Sequence, residues 1–217
     1  RQGQGGEIIK ISEALHEKKI AGIASAIADQ QPRPKLIMIA GPSSSGKTTF
    51  SKRLAVQLAV CGIRSHAISL DNYFVDREHT PLDEQGNYDF EALDAIDLPF
   101  FNNQLKQIIA GEAVELPKFD FHTGNRYFDG EIAQLDDNQV LIIEGIHALN
   151  PDLMPEIDKK YTYRIFISAL TSISIDDQNP ISTTDNRLIR RMIRDAKYRG
   201  YSALDTIRRW PSVRRGE

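Results

Sequence analysis

Between Leu36 and Thr48 the chain reads LIMIAGPSSSGKT, and this stretch limits the possible folds more than any other. The order G-x-x-x-x-G-K-[ST] works only where a buried strand runs into a glycine turn and the turn opens a helix. The glycines let successive backbone N–H groups curl round phosphate oxygens, and the helix N-terminus adds positive potential. A lysine at this place reaches the terminal phosphates, and the hydroxyl after it ligates Mg²⁺. Gly41, Ser43, Ser44, Ser45, Gly46, Lys47, Thr48 and Thr49 are therefore nucleotide-binding candidates, with Thr48 a candidate Mg²⁺ ligand.

The flanking sequence supplies the context that the loop needs. LIMIA is apolar throughout, as in a short strand covered on both faces. Helical spacing then runs over Thr48 to Cys61 and stops at Gly62. Three more strands are predicted in Arg64 to Phe74, Gln139 to Asn150 and Tyr161 to Leu170. Asp89 to Gly111 keeps helical spacing, and Val114 to Phe128 reads as a hairpin turning at Thr123 to Asn125. Strands alternating with helices indicate an α/β fold with a mostly parallel sheet flanked by helices. Upstream, Ile8, Ile11, Leu15, Ile23 and Ile27 predict an amphipathic helix over Glu7 to Asp29, which Pro32 and Pro34 end. The expected division is an N-terminal helix and linker, 1–34, and a nucleotide-binding domain, 35–217. With 217 residues, 41% of them hydrophobic, one main domain is expected.

Such a loop binds a nucleotide without deciding what becomes of it. Glu144 ends the run VLIIE, where an acidic residue can hold Mg²⁺ or its water shell. Asp71 ends AISLD on the same carboxyl edge, placed either to accept a proton from an attacking hydroxyl or to cap a turn. From Asp185 to Glu217 nine Arg and one Lys face four acidic residues, and the rest of the chain is acidic overall. Within that stretch Arg187, Arg190, Arg191 and Arg194 share one helix face, while Leu188, Ile189, Met192 and Ile193 are expected to pack from the other. The arginine face suits a lid over a transferring phosphoryl group; a solvated stripe and an RNA-contacting surface are the alternatives.

Taken in order, GPSSSGKTTF, SLDNYF, GNYDFEALD, LPKFDFHTGNR, IIEGIHALNP and TTDNRLIRRMIRDAKYRGYSA resemble the uridine kinase and phosphoribulokinase family. The likeness runs from Lys35 to the chain end, and in detail it is similar to bacterial uridine-kinase-like chains that carry an upstream domain like the N-terminal part of threonyl-tRNA synthetase. It implies a P-loop NTPase fold of nucleoside-kinase type with an arginine-rich lid, and ATP and Mg²⁺ as cofactors. The implied activity is transfer of the γ-phosphoryl group to the 5′-hydroxyl of a pyrimidine ribonucleoside, uridine first. A sugar-phosphate kinase of phosphoribulokinase type, or a regulatory nucleotide-binding module that contacts RNA or a partner, are the rival readings.

Carried over by motif, the general base falls on Asp71, with Lys47, Arg191 and Arg194 completing the catalytic group and Arg199 joining them at the phosphates. Glu144 joins Thr48 at the metal, Asp89 falls at the sugar hydroxyls, and Arg126 lies near the nucleoside. Phe119 and Gly124 stand where animal pyrimidine kinases place a tyrosine and a histidine against the base, with His122 kept as a candidate base contact. An apolar pocket of that kind is expected to separate uridine from cytidine by less than about 100-fold. Tyr201 stands at another lid-arginine position, and the strand expected after the lid is not found before Glu217.

The implied partner is a small nucleoside. A formal charge of −3 gives no reason to expect nucleic acid or a membrane, and association between copies is left open. Cys61 is the lone cysteine, read as a small packing residue suited to a reducing, cytoplasmic setting. His147 is read as structural, and His16, His66 and His79 have no partners at metal-ligand spacing.

Overall fold

Strand β1 (Leu36–Ala40) is buried along its whole length because its side chains alternate between two separate cores. Leu36, Met38 and Ala40 enter one cluster, and Ile37 and Ile39 enter the other. The computed structural model describes residues 5–84, 86–171, 174, 176 and 178–215. Around β1 it places β2 (Arg64–Ser69), β5 (Gln139–Glu144) and β6 (Thr162–Phe166) in the order β2-β5-β1-β6, every pairing parallel. β5 repeats the alternation of β1, sending Leu141 and Ile143 to the first core and Val140 and Ile142 to the second. A strand covered on both faces must read as a continuous apolar run, as these two do.

The second core is closed by helices α1 (Gly5–Asp29) and α2 (Lys47–Val60). Ile20, Ala24 and Ile27 of α1 are fully buried there with Leu54 and Leu58 of α2, so the second half of α1 shares the sheet's core. Its first half carries Ile8, Ile9, Ile11 and Leu15 exposed. The first core lies under helix α3 (Leu98–Ile109) and the antiparallel hairpin of β3 (Val114–Asp120) and β4 (Asn125–Ala133). The chain continues through α4 (Thr183–Tyr198) and α5 (Ala203–Arg215). Among the described residues no helix is long and apolar enough to cross a membrane.

Four expectations are corrected. The strand predicted over Arg64 to Phe74 ends at Ser69, because Leu70 and Tyr73 are both buried and a 3₁₀ turn over Leu70–Tyr73 brings that i, i+3 pair to one side. The helix predicted from Asp89 begins only at Leu98: the Asp97 carboxylate accepts from the Phe100 N–H at 3.1 Å, and Pro99 occupies the first turn. Cys61 is exposed at the end of α2 and does not pack. The faces of α4 are inverted. Arg187 and Arg191 are 7% and 8% exposed, whereas Ile189 and Ile193 are 51% and 63% exposed.

Candidate active site

The carboxyl ends of β1, β5 and β2 share one edge of the parallel sheet, where ligands of open α/β sheets bind. A cavity of about 580 Å³ opens there. Its floor is the loop between β1 and α2. Ser44 has φ +61 and Gly46 φ +106, and a Cβ on Gly41 would stand 2.6 Å from the Ile167 carbonyl oxygen. The glycines are thus required by backbone direction at 46 and by close approach at 41. The Ser44 and Ser45 hydroxyls are buried without a hydrogen-bond partner among the described residues, and the N-terminus of α2 borders the same space. Lys47 Nζ donates to the carbonyls of Gly41 at 2.8 Å and Pro42 at 3.3 Å. Burial pulls the Lys47 ammonium below its usual value, and the nearby carboxylates of Glu144, Asp71 and Glu91 oppose that pull. Uncommitted donors, a helix N-terminus and a lysine in one cradle suit a polyphosphate.

Thr48 Oγ1 donates to Glu144 Oε1 at 2.7 Å. Burial raises the Glu144 carboxyl above the usual range, Asp71 raises it further, and the Thr48 bond, Lys47 and Arg194 partly offset this. A hydroxyl beside a carboxylate fits Mg²⁺, which takes hard oxygens and accepts a few protein ligands alongside substrate phosphates. Among the described residues, His, Cys, Asp and Glu form no group of three or more that could hold a metal unaided. Asp71 lies just past β2 in the 3₁₀ turn and lines the cavity; among the described residues its hydrogen-bond partner is Arg199 Nη2, at 3.5 Å. It caps nothing there, which leaves its carboxylate facing the cavity.

Helix α4 presents its arginines inward. Arg191 Nη1 donates to Ser43 Oγ at 2.7 Å, and Arg187 Nε donates to the Ser43 carbonyl at 3.1 Å. Arg191 also pairs with Glu91 at 3.5 Å and with buried Asp195 at 3.3 Å, and Arg194 pairs with Asp195 at 2.9 Å. Trp210 of α5 lies under Arg187, its ring 5.3 Å away, and Thr206 donates to Asp195. This explains the inverted faces: carboxylates and loop oxygens offset the charge of the buried guanidiniums, as buried charge requires, although Arg191 Nε makes only an ion-pair contact with Asp195 and no hydrogen bond among the described residues. Arg187 and Arg191 are therefore turned away from solvent, against the reading of this face as a solvated or RNA-contacting stripe. Arg199 follows the helix, stacked 4.3 Å over Phe121.

The candidates separate accordingly. Ser43, Ser44, Gly46, Lys47, Thr48, Thr49, Asp71, Phe119, Glu144, Arg191, Arg194 and Arg199 line the cavity, whereas Gly41 and Ser45 belong to the loop without lining it. Asp89, His122 and Arg126 are not part of that lining. The Asp89 carboxylate accepts from the Glu91 N–H at 3.1 Å. Arg126 pairs with Asp97 at 3.0 Å and donates to the Phe74 carbonyl at 3.1 Å, while His122 lies exposed in the hairpin turn. The His147 ring, although it lines the cavity, contacts the Glu91 carbonyl at 2.8 Å. Arg190, named with the arginine face, lines the cavity as well, whereas sequence reading missed Arg77, Phe90, Glu91, Phe121, Asp195 and Arg209, which also line the cavity. Phe121 was accessible to it, two residues after Phe119 and so on the same side of an extended segment.

Comparison with known proteins agrees with this geometry. The phosphoribulokinase/uridine kinase family matches residues 36–215. A uridine kinase of Lactobacillus helveticus is 32% identical over 176 residues, covering 81% of this chain and 74% of that protein. One from Ligilactobacillus salivarius is 28% identical over 190 residues, covering 86% and 78%. A solved structure from Bacillus stearothermophilus, described as a possible uridine kinase, superposes with a TM-score of 0.56 at 23% identity over 69% of this chain and 79% of that one, a likeness of fold.

Proposed function

The chain belongs to the phosphoribulokinase/uridine kinase family, and from that premise we propose that it transfers the γ-phosphoryl group of ATP to the 5′-hydroxyl of uridine. The observation that carries the reading is the shared cavity: a phosphate cradle at one side, the Asp71 carboxylate facing it with Arg199 at 3.5 Å, and an aromatic end formed by Phe74, Phe90, Phe119 and Phe121. In this account Lys47 turns from its loop carbonyls to the β- and γ-phosphates, the loop N–H groups hold the phosphate oxygens, and Asp71 takes the proton of the attacking hydroxyl. Arg191, Arg194 and Arg199 neutralise charge that develops on the transferring group, and exclude water by holding α4 against the loop. Thr48 and Glu144 would hold Mg²⁺, which would supply charge neutralisation at the phosphates. The aromatic end receives the base by stacking and edge contact.

A sugar-phosphate acceptor is the second reading, favoured by the additional cations Arg77 and Arg209 in the lining. Supplying ATP and Mg²⁺ with uridine, cytidine, adenosine or pentose phosphates in turn separates the two. Uridine 5′-monophosphate formed with ADP supports the first reading; a phosphorylated pentose phosphate, with no nucleotide product, supports the second.

A further inference from the structure

Gly124 closes the β3–β4 hairpin with φ +78, and a Cβ built on it would stand 2.6 Å from Arg77 Nε, 2.8 Å from Arg77 Cζ and 2.9 Å from Arg77 Cβ. The space that any other side chain at 124 would take is thus filled by Arg77. That arginine is tied to the hairpin twice: its backbone N–H donates to the Gly124 carbonyl at 2.9 Å, and its Nη2 donates to the Phe121 carbonyl at 2.9 Å. It lines the cavity beside Phe74, Phe119 and Phe121, whose rings pack edge to face on one another at 5.3 to 6.4 Å between centroids.

Three other arginines here have carboxylates: Arg191 has Glu91 and Asp195, Arg194 has Asp195, and Arg199 has Asp71. Arg209, also in the lining, is stacked 4.3 Å from the Tyr201 ring, and Arg190 lies over the phosphate loop beside Gly46. Arg77 has none among the described residues. A guanidinium carries five N–H donors in a fixed plane and no acceptor. With the Phe121 carbonyl taking one Nη2 hydrogen, donors remain for a ligand that brings acceptor atoms. The apolar rings beside it suit a flat, uncharged body better than a multiply charged phosphate, which would lose its hydration there.

We infer that Arg77 is the specificity-determining residue of the acceptor end, donating to a carbonyl oxygen on the edge of an oxo-pyrimidine base, the 4-oxygen of uracil. This rests on the proposed kinase activity and replaces the apolar-pocket expectation drawn from Phe119 and Gly124. The amino group that cytosine carries at the same position is itself a donor and meets Arg77 without a bond. A site that hydrogen-bonds a distinguishing group rejects its absence far more sharply than an apolar one does.

The test measures kcat/KM for uridine, cytidine and the 2-pyrimidinone ribonucleoside that lacks the 4-oxygen, using wild type, Arg77→Leu and Gly124→Ala. The alanine Cβ displaces the guanidinium without removing it, so the two variants reach the same loss by different routes. In each folded variant the preference for uridine over both competitors should fall by about tenfold or more, with the KM for ATP unchanged. A smaller fall in both variants overturns the assignment of Arg77, since loss of hairpin stability alone lowers all three substrates together. A wild type that binds ATP yet phosphorylates no nucleoside overturns the kinase reading itself, and this inference with it. A pentose phosphate that is the preferred acceptor and loses affinity in Arg77→Leu identifies the partner oxygen as a phosphate and overturns the base assignment.

Discussion

Lys47 and Asp71 line one cavity, yet their loss should fail at different steps. Lys47 is placed for nucleotide phosphates, so Lys47→Ala should weaken ATP binding and turnover together. Asp71→Asn keeps the shape and the Arg199 contact while removing the base, so kcat should fall by roughly 10² to 10⁴ with nucleotide affinity retained. Steady-state kinetics alongside nucleotide binding separates the two, and near-normal turnover by Asp71→Asn would remove it as the base. Residues such as these were legible because chain proximity fixes them: the loop is contiguous, and Glu144 ends an apolar run that can only be a buried strand. Arg77 was not, since its meaning depends on a glycine in a distant hairpin. Asp89 and Arg126 were legible as motif members but lie outside the cavity lining, their side chains engaged by Glu91, Asp97 and the Phe74 carbonyl.

Periodicity alone gave α4 two faces without saying which one is buried. Apolar residues normally win that choice by about 1.5–3 kcal/mol per buried side chain. Here Ser43, Glu91 and Asp195 contact the guanidiniums, and none of these partners is visible in the helix's own period except Asp195. Removing Arg191 should therefore lower kcat more than the KM for the acceptor, on the order of 10³ or more if it serves the transferring phosphoryl group. An equal loss in both parameters, or a collapsed circular dichroism spectrum, would show a packing role instead. If α4 is a lid, amide exchange over 185–215 should slow when an ATP analogue binds, and identical exchange with and without it counts against closure. Helix α1 is tied to α2 by Arg53, which donates to Glu17, and by Gln57, which donates to Glu17 at 2.6 Å. These bonds hold the Glu17 carboxyl below its ordinary value of 4.5. Ionised Glu17 then favours the fold above the unfolded pKa, and that contribution is lost as pH falls through the lower folded one. Between about pH 5 and about pH 3 the wild type should lose more melting temperature than Glu17→Gln. Ile20→Ala, at a fully buried site, should cost about 2–5 kcal/mol in denaturant unfolding, whereas a cost near zero would mean that α1 is not docked.

At the scale of the molecule, the parallel sheet explains why residues far apart in sequence meet: β1, β5 and β2 all point their carboxyl ends at one edge, delivering Lys47, Glu144 and Asp71 together. The strand–loop–helix order made this much legible. The hairpin's placement and the inward turn of α4 were not, because both depend on contacts between segments rather than on any local pattern. The central claim is that this one edge carries out phosphoryl transfer to a nucleoside, and its most direct measurement is product formation from ATP, Mg²⁺ and uridine. Separation of the reaction mixture should show uridine 5′-monophosphate appearing in equal amount with ADP for the wild type, and both falling together in Asp71→Asn. ADP released without uridine 5′-monophosphate, or at the same rate whether or not uridine is present, would contradict it.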